Sequence, residues 1–393
     1  MEGRRLLIVD DDPRISRLVK NVGEELGYVV HAVNDPQDFL ITYRQVTPHL
    51  VVLDLHMKQL DGIELLRQLT DESHQTAVLL VSGVDPRILN TAERLGKSLG
   101  LDMRGAIHKP LSLDLLRNSL RQQRALSPTK HRAAIPTASR AELIEALAQG
   151  DFCPFYQPKV DLHHGVVVGA EALARWRRPS GEILRPRSFI PSAESSRLIE
   201  PLTFAILQGV LQDMASWPEC ASHLHIAVNL SAQLLNDVTL PDRIEALVDH
   251  YGIAPSRLTL EVTESWAVGL SPRSMDILTR LRLKGLQLAI DDLGTGYASL
   301  ENLYALPYGE LKIDRYYVAS ARTQADAQAV VRSIAGLGTE LGVTVVAEGI
   351  EDPAARQWLQ AIGCHVGQGF LFSQALENGG FLRWLERFQD HRF

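Results

Sequence analysis

Along the first ~120 residues, short apolar runs alternate with segments of helical period. RLLIV (5–9), HLVVLDL (49–55), TAVLLVSG (76–83) and RGAIHKP (104–110) have the length and apolar content of buried strands. Between them, RISRLVKNVGEEL and GIELLRQLT are amphipathic at helical spacing. Strand and helix in alternation predict a parallel α/β sheet. The pattern then lapses. QQRALSPTKHRAAIPTASR (122–140) holds two prolines, four Lys or Arg residues and no sustained period. It reads as a linker over 123–140 or an irregular connecting helix, dividing a domain at 1–122 from one at 141–393.

In the second part the apolar runs recur as VVVGAEALARW, HIAVNLS, LTLEVTES, LQLAIDDLG, GELKIDR, VTVVAEG and HVGQGFLFS. Its length of ~250 residues suits a (β/α)8 barrel. Each run carries a polar residue at or near its C-terminal end: Glu171, Asn229, Glu261, Asp291 with Asp292, Lys312, Glu348 and Gln368. One such acid usually only caps the next helix. Seven positions in succession, mostly acids and amides, predict a shared site where the strand ends of a barrel converge. Adjacent Asp291 and Asp292 repel each other unless a cation lies between them.

Composition narrows the classes of function. An apolar fraction of 45% and a charged fraction of 22% describe an ordinary globular chain. Net charge is −7, against a general nucleic-acid coat or an anionic membrane surface. Cys153, Cys220 and Cys364 are scattered without metal-ligand spacing, as expected for a reducing compartment. No apolar stretch approaches a membrane span, and RRLLIVDDD meets acid too early for a signal peptide, so a cytoplasmic location is expected.

In the first domain, LLIVDDD ends in Asp10, Asp11 and Asp12, VVLDLHM supplies Asp54, LLVSG supplies Ser82 and IHKP supplies Lys109. Acyl phosphate formation needs such a set. A nucleophilic carboxylate (Asp54) requires a divalent cation, held by Asp10 and Asp11, to suppress repulsion of the incoming phosphoryl oxygens. A hydroxyl (Ser82) and an ammonium (Lys109) then meet the transferred group. Residues 4 to ~122 thereby resemble a two-component receiver domain. The resemblance implies a flavodoxin-like sheet, phosphorylation of Asp54 by a sensor histidine kinase and one Mg2+. Two positions depart from it: Lys58 replaces the usual proline, and Ala106 replaces the usual aromatic switch residue.

GAEALARW (169–176) resembles the signature of EAL-family cyclic di-GMP phosphodiesterases. YQPKVDL (156–162), FIPSAE (189–194), VNLS (228–231), LEVTES (260–265), DDLGTGYASL (291–300), LKIDR (311–315), VAEGIE (346–351) and GQGFLFS (367–373) follow in the family's order. The resemblance implies a TIM-type barrel with one strand reversed and hydrolysis of cyclic di-GMP to linear pGpG with two Mg2+ or Mn2+ ions. The residues suit that chemistry. Phosphodiester hydrolysis by in-line attack favours two metals, and hard ions take oxygen ligands. Glu171, Asn229, Glu261 and Asp291 supply one set, and Asp292 serves a second ion with Asp291 bridging. By resemblance, Glu348 completes the second site or acts as base, and Lys312 assists the attacking water. Gln157 and Arg175 hold substrate phosphates, Gln368 lies at the rim, and Glu264 steadies the loop after Asp292.

The glycines of LGTGYASL lack the GxxxxGK[ST] spacing of a P-loop and suit a mobile loop beside the metals. Leu293 stands there in place of the family's phenylalanine. A catalytically inactive cyclic di-GMP sensor is the alternative function, although no metal ligand or lysine is missing. No helix-turn-helix or basic patch supports DNA binding, and no GGDEF-like motif supports a synthase. The family often pairs through the barrel, so a homodimer or larger homo-oligomer is expected.

Overall fold

Leu6, Leu7, Ile8 and Val9 are all fully buried, a run that only a strand covered on both faces accommodates. In the computed structural model they form β1 (Arg4–Val9), followed by β2 (Tyr28–Val33), β3 (Leu50–Leu53), β4 (Ala77–Ser82) and β5 (Asp102–His108). These strands pair in parallel in the order β2-β1-β3-β4-β5. Side-chain alternation sends Leu7, Val9, Val51 and Leu53 into one apolar cluster and Leu6, Ile8, Leu50 and Val52 into another. Helices cover both faces, giving the flavodoxin-like receiver architecture. The structure describes residues 4–58, 60–70, 72, 76–125, 138–264, 271–294 and 306–390. Within the chain, contacts separate the units Met1–Ala134 and Ile135–Phe393.

The second unit opens on helix Arg140–Gln149. Ser139 and Glu142 cap it reciprocally, and Gly150 ends it at φ 70°. The preceding helix, Leu113–Ala125, runs past residue 122, so helical structure occupies both ends of the expected 123–140 linker; positions 126–137 lie outside the described residues. Nine strands follow: β6 (Phe152–Asp161), β7 (Val167–Arg177), β8 (Ile183–Leu184), β9 (His225–Asn229), β10 (Leu258–Thr263), β11 (Gln287–Leu293), β12 (Glu310–Ile313), β13 (Thr344–Ala347) and β14 (Val366–Gly367). Their order is β6-β14-β13-β12-β11-β10-β9-β7-β8, and a β6–β7 pairing closes eight of them into a barrel. β6 is antiparallel to both β7 and β14, while the others run parallel around the ring. This is the TIM-type fold with one strand reversed.

Three strands escaped the sequence pattern, among them β8, only two residues long. β2 lies at an edge and is half-exposed, so its apolar run is broken by His31. β6 contains Pro154, Gln157, Pro158 and Lys159, which disguise a strand whose exposure nevertheless alternates.

Candidate active site and phosphoacceptor site

In the receiver, Asp54 follows β3 directly and is buried. Its Oδ1 accepts from Ser82 Oγ at 2.6 Å and from the His56 backbone N–H at 3.0 Å. Its Oδ2 accepts from Lys109 Nζ at 2.6 Å, and the same ammonium reaches Asp10 Oδ2 at 2.8 Å. Oxygens of Asp10, Asp11 and Asp54 lie within 4.8 Å of one another, a set of hard donors that fits a divalent ion. Burial opposes the Lys109 charge, but its bonds to Asp10 and Asp54 outweigh that and raise its pKa. The Asp10 carboxyl is raised chiefly by burial. Ala106 lies half-buried in β5 opposite Leu80, and Lys58 is exposed.

In the barrel the polar strand ends converge on Lys312. Its side chain is fully buried in β12, with Nζ 2.8 Å from Glu261 Oε2 and 2.8 Å from Glu348 Oε1. Asp291 Oδ1 lies at 3.1 Å and Glu171 Oε2 at 3.5 Å. Asn229 Nδ2 donates to Glu171 Oε1 at 2.9 Å. Gln368 Nε2 donates to Glu171 Oε2 at 2.7 Å and to Gln157 Oε1 at 3.0 Å. Gln157 stands opposite Glu171 in the β6–β7 ladder and donates to the Ser373 carbonyl at 3.1 Å. Gln368 Oε1 is buried without a hydrogen-bond partner among the described residues.

Adjacent residues in a regular strand face opposite sides. Asp291 and Asp292 nonetheless share a cluster, because the β11–β12 register shifts between Ile290 and Leu293 and Asp292 adopts φ 57°. Aspartate tolerates this left-handed conformation better than most residues. Carboxylate oxygens of Asp291, Asp292 and Glu348 lie within 4.8 Å of one another, as do those of Glu171, Glu261 and Asp291. Two oxygen-only sets meeting at Asp291 fit hard divalent ions.

Burial opposes the Lys312 charge, but Glu171, Glu261, Glu348 and Asp291 prevail and hold its pKa well above the usual value. Burial also opposes ionisation of Glu171; Lys312, Lys159 and the amides of Gln368 and Asn229 bring it down to about 2. Glu348 is pushed up to about 7, by burial first, with Asp291 and Glu171 adding to it against Lys312. Asp292 rises to about 6 through burial, Asp291 and Asp314. Glu261, enclosed on all sides, rises to about 8 despite its two lysines.

Past Asp292, Leu293 is buried in the barrel core opposite Ile313, so this departure from the family fills a packed position. Gly294 has φ 100°, and a Cβ there would come within 2.8 Å of Tyr317 Cε2. Its N–H donates to Glu264 Oε2 at 2.8 Å, and its carbonyl accepts from the Tyr317 hydroxyl. The remainder of the expected mobile loop, including Gly296, lies outside the described residues. Arg175 shares the Glu171 face of β7 but stands apart from the hydrogen-bonded set. Its Nη1 donates to the Ala174 carbonyl, and its guanidinium lies 5.5 Å from the Phe155 ring centre. Beside Glu171 and Asn229 opens a cavity of ≈ 440 Å³, lined by Leu173, Ile190, Pro191 and Glu194 among others. His163 and His164 occupy an exposed turn whose backbone N–H groups donate to Asp161.

The sequence reading overlooked Tyr317, Lys159 and Glu310. Lys159 is the one with a visible signal: a lone cation between Pro158 and Val160 in the YQPKVDL block.

Comparison with known proteins agrees with this geometry. The EAL domain model matches residues 140–375, and the response regulator receiver domain model matches residues 6–121. Cyclic di-GMP phosphodiesterase RocR of Pseudomonas aeruginosa is 30% identical over 97% of this chain and 98% of its own length. Probable cyclic di-GMP phosphodiesterase PdeB of Escherichia coli is 39% identical over 62% of this chain, which spans 46% of that relative's length. Among solved structures, the PaMucR phosphodiesterase in complex with c-di-GMP is 37% identical, covering 60% of this chain and 96% of its own, with a TM-score of 0.58. EAL enzyme Bd1971, bound to cAMP and cyclic di-GMP, is 28% identical, covering 70% of this chain and 75% of its own, with a TM-score of 0.61. With two collinear matches and a barrel whose acids meet at one lysine, the chain belongs to the EAL domain family and carries a response regulator receiver domain before it.

Proposed function

We propose that the chain is a cyclic di-GMP phosphodiesterase that yields linear pGpG by a two-metal mechanism, under control of phosphorylation at Asp54. The observation that carries this reading is the convergence of Glu171, Glu261, Asp291 and Glu348 on Lys312 at the strand ends of one barrel. Glu171, Asn229, Glu261 and Asp291 would hold one Mg2+ or Mn2+, and Asp291, Asp292 and Glu348 the other. Such ions, when bound, supply Lewis-acid polarisation of the phosphoryl group and a water of lowered pKa.

The chain's own groups supply the rest. Attack by water oxygen forms a new P–O bond and breaks the P–O3′ bond, leaving a 5′-phosphate on one guanylate and a 3′-hydroxyl on the other. Glu348 accepts the water proton at a carboxylate oxygen. The Lys312 ammonium steadies the developing negative charge, and a proton from solvent or Lys312 completes the 3′-hydroxyl. Gln157 and Arg175 orient the phosphates, with the planar guanidinium suited to their oxygens. In the receiver, Asp54 takes a phosphoryl group from a kinase, with Lys109 and Ser82 meeting its oxygens.

Incubating the protein with cyclic di-GMP and Mg2+ or Mn2+, then resolving the nucleotides by chromatography, tests the reading. Wild type should yield pGpG, and Glu171→Ala and Asp291→Ala should not. A small phosphodonor should change the wild-type rate but not that of Asp54→Asn. No pGpG with either metal would overturn the enzymatic reading in favour of a cyclic di-GMP sensor.

A further inference from the structure

Lys159, on the reversed strand β6, lies inside the barrel with 5% of its surface exposed. That interior is ordinarily filled by branched apolar side chains. Its Nζ donates to Glu261 Oε1 at 3.0 Å and to Glu310 Oε1 at 2.6 Å. The other oxygen of Glu261, Oε2, accepts from Lys312 at 2.8 Å. Glu310 and Lys312 stand two apart on β12 and so share a face. The result is two tiers: Lys159 with Glu310 in one, Lys312 with the clustered acids in the other, and Glu261 joining them. A buried ion pair is generally no more stabilising than apolar residues of the same volume, so stability alone gives no reason for Lys159.

We propose that Lys159 is a positioning residue for the metal centre. By holding Oε1 of Glu261, it fixes that carboxylate's orientation and reserves Oε2, the oxygen on the Lys312 side, for a metal ion. Glu310 accepts the second hydrogen bond of Lys159 and balances its charge. Outer partners of ligating carboxylates set how well those ligands are aimed. The inference rests on the metal-binding reading above.

The test measures Mn2+ binding through the electron paramagnetic resonance signal of the free ion. Full-length protein carrying Asp11→Asn serves as parent, so that the receiver cluster is disabled. Adding Lys159→Met should weaken Mn2+ binding about 10–100-fold. Turnover at fixed Mn2+ should fall and recover when Mn2+ is raised by the same factor, with KM for cyclic di-GMP unchanged. Lys159→Met with Glu310→Met removes the stranded counter-ion; the thermal midpoint should return while Mn2+ affinity stays low. Should Lys159→Met alone fail to fold, that double variant carries the comparison. Glu310→Gln retains the Lys159–Glu261 bond and should bind Mn2+ within about threefold of the parent, far less than the loss typical of a missing outer partner. Parent-like affinity in Lys159→Met or in the double variant, or an equal loss in Glu310→Gln, would overturn the proposal. A parent that binds no Mn2+ would overturn the metal reading, and this one with it.

Discussion

Glu264 and Gly294, thirty residues apart, are joined by a 2.8 Å hydrogen bond from the glycine N–H to the glutamate Oε2. The bond ties the end of β10 to the residue two past Asp292. Glu264→Ala removes the acceptor and leaves a part-buried N–H to find another. Cyclic di-GMP turnover should fall about 10–100-fold, the range seen when outer partners of metal ligands are lost. Steady-state kinetics beside Mn2+ titration check this; unchanged turnover would mean that Gly294 is held well enough without the carboxylate.

Gln368 presents its amide to Glu171 and Gln157 together. Gln368→Glu replaces a donor with a like charge 2.7 Å from an ionised carboxylate. Mn2+ affinity and turnover should drop by at least about tenfold, since each lost charge-assisted bond is worth roughly 1.5–3 kcal/mol. Turnover at wild-type level would remove Gln368 from the site.

Metal binding should depend on pH near neutrality. In the metal-free protein Glu261 is pushed up to about 8, Glu348 to about 7 and Asp292 to about 6, so all three hold protons increasingly as pH falls through that range. A cation binds only the ionised carboxylates and must displace those protons. Affinity should therefore weaken from pH 8 to pH 5.5, by about tenfold per unit for each proton displaced. Calorimetry in two buffers of different ionisation enthalpy counts the protons released near pH 6. A count of zero would contradict the titration assigned to Glu261, Glu348 and Asp292.

Acetyl phosphate with Mg2+ should label Asp54, detectable as a mass increase that is lost in Asp54→Asn. Lys109→Ala removes the ammonium bonded to both Asp54 and Asp10 and should reduce the labelled fraction severalfold. Label persisting in Asp54→Asn would place the phosphoacceptor elsewhere.

Tyr156 is fully buried, and its hydroxyl donates to Asp213 at 2.6 Å; Asn378 donates to the other oxygen of that carboxylate at 2.7 Å. Tyr156→Phe leaves the packing and deletes one bond to a charged group, so urea unfolding should show a loss of about 1–3 kcal/mol. No loss would show that the hydroxyl finds equal partners in the unfolded chain.

Much of this arrangement is readable from residue order because parallel strands announce themselves. Glu261 and Lys312 each end or interrupt an apolar run, and barrel topology alone requires such positions to meet. What pattern could not reveal depends on local geometry. Nothing in the string DD marks the left-handed turn of Asp292 that brings both carboxylates to one side. The partnership of Lys159 with Glu310 spans 151 residues and emerges only once β6 is seen to run backwards. Arg175 shows the converse: an arginine beside the signature motif whose guanidinium rests on Phe155 rather than on the acids.

The direction of β6 also governs where the chain enters the barrel. Phe152, its first residue, pairs with Trp176 near the end of β7, whereas Val160 pairs with Val167 at that strand's beginning. In an all-parallel ring the opening strand would start at the floor and rise towards the catalytic rim. Here the peptide arrives at the rim and descends, passing Gln157 before Lys159. Helix Arg140–Gln149, which leads into β6, is therefore joined to the barrel at its rim rather than at its floor.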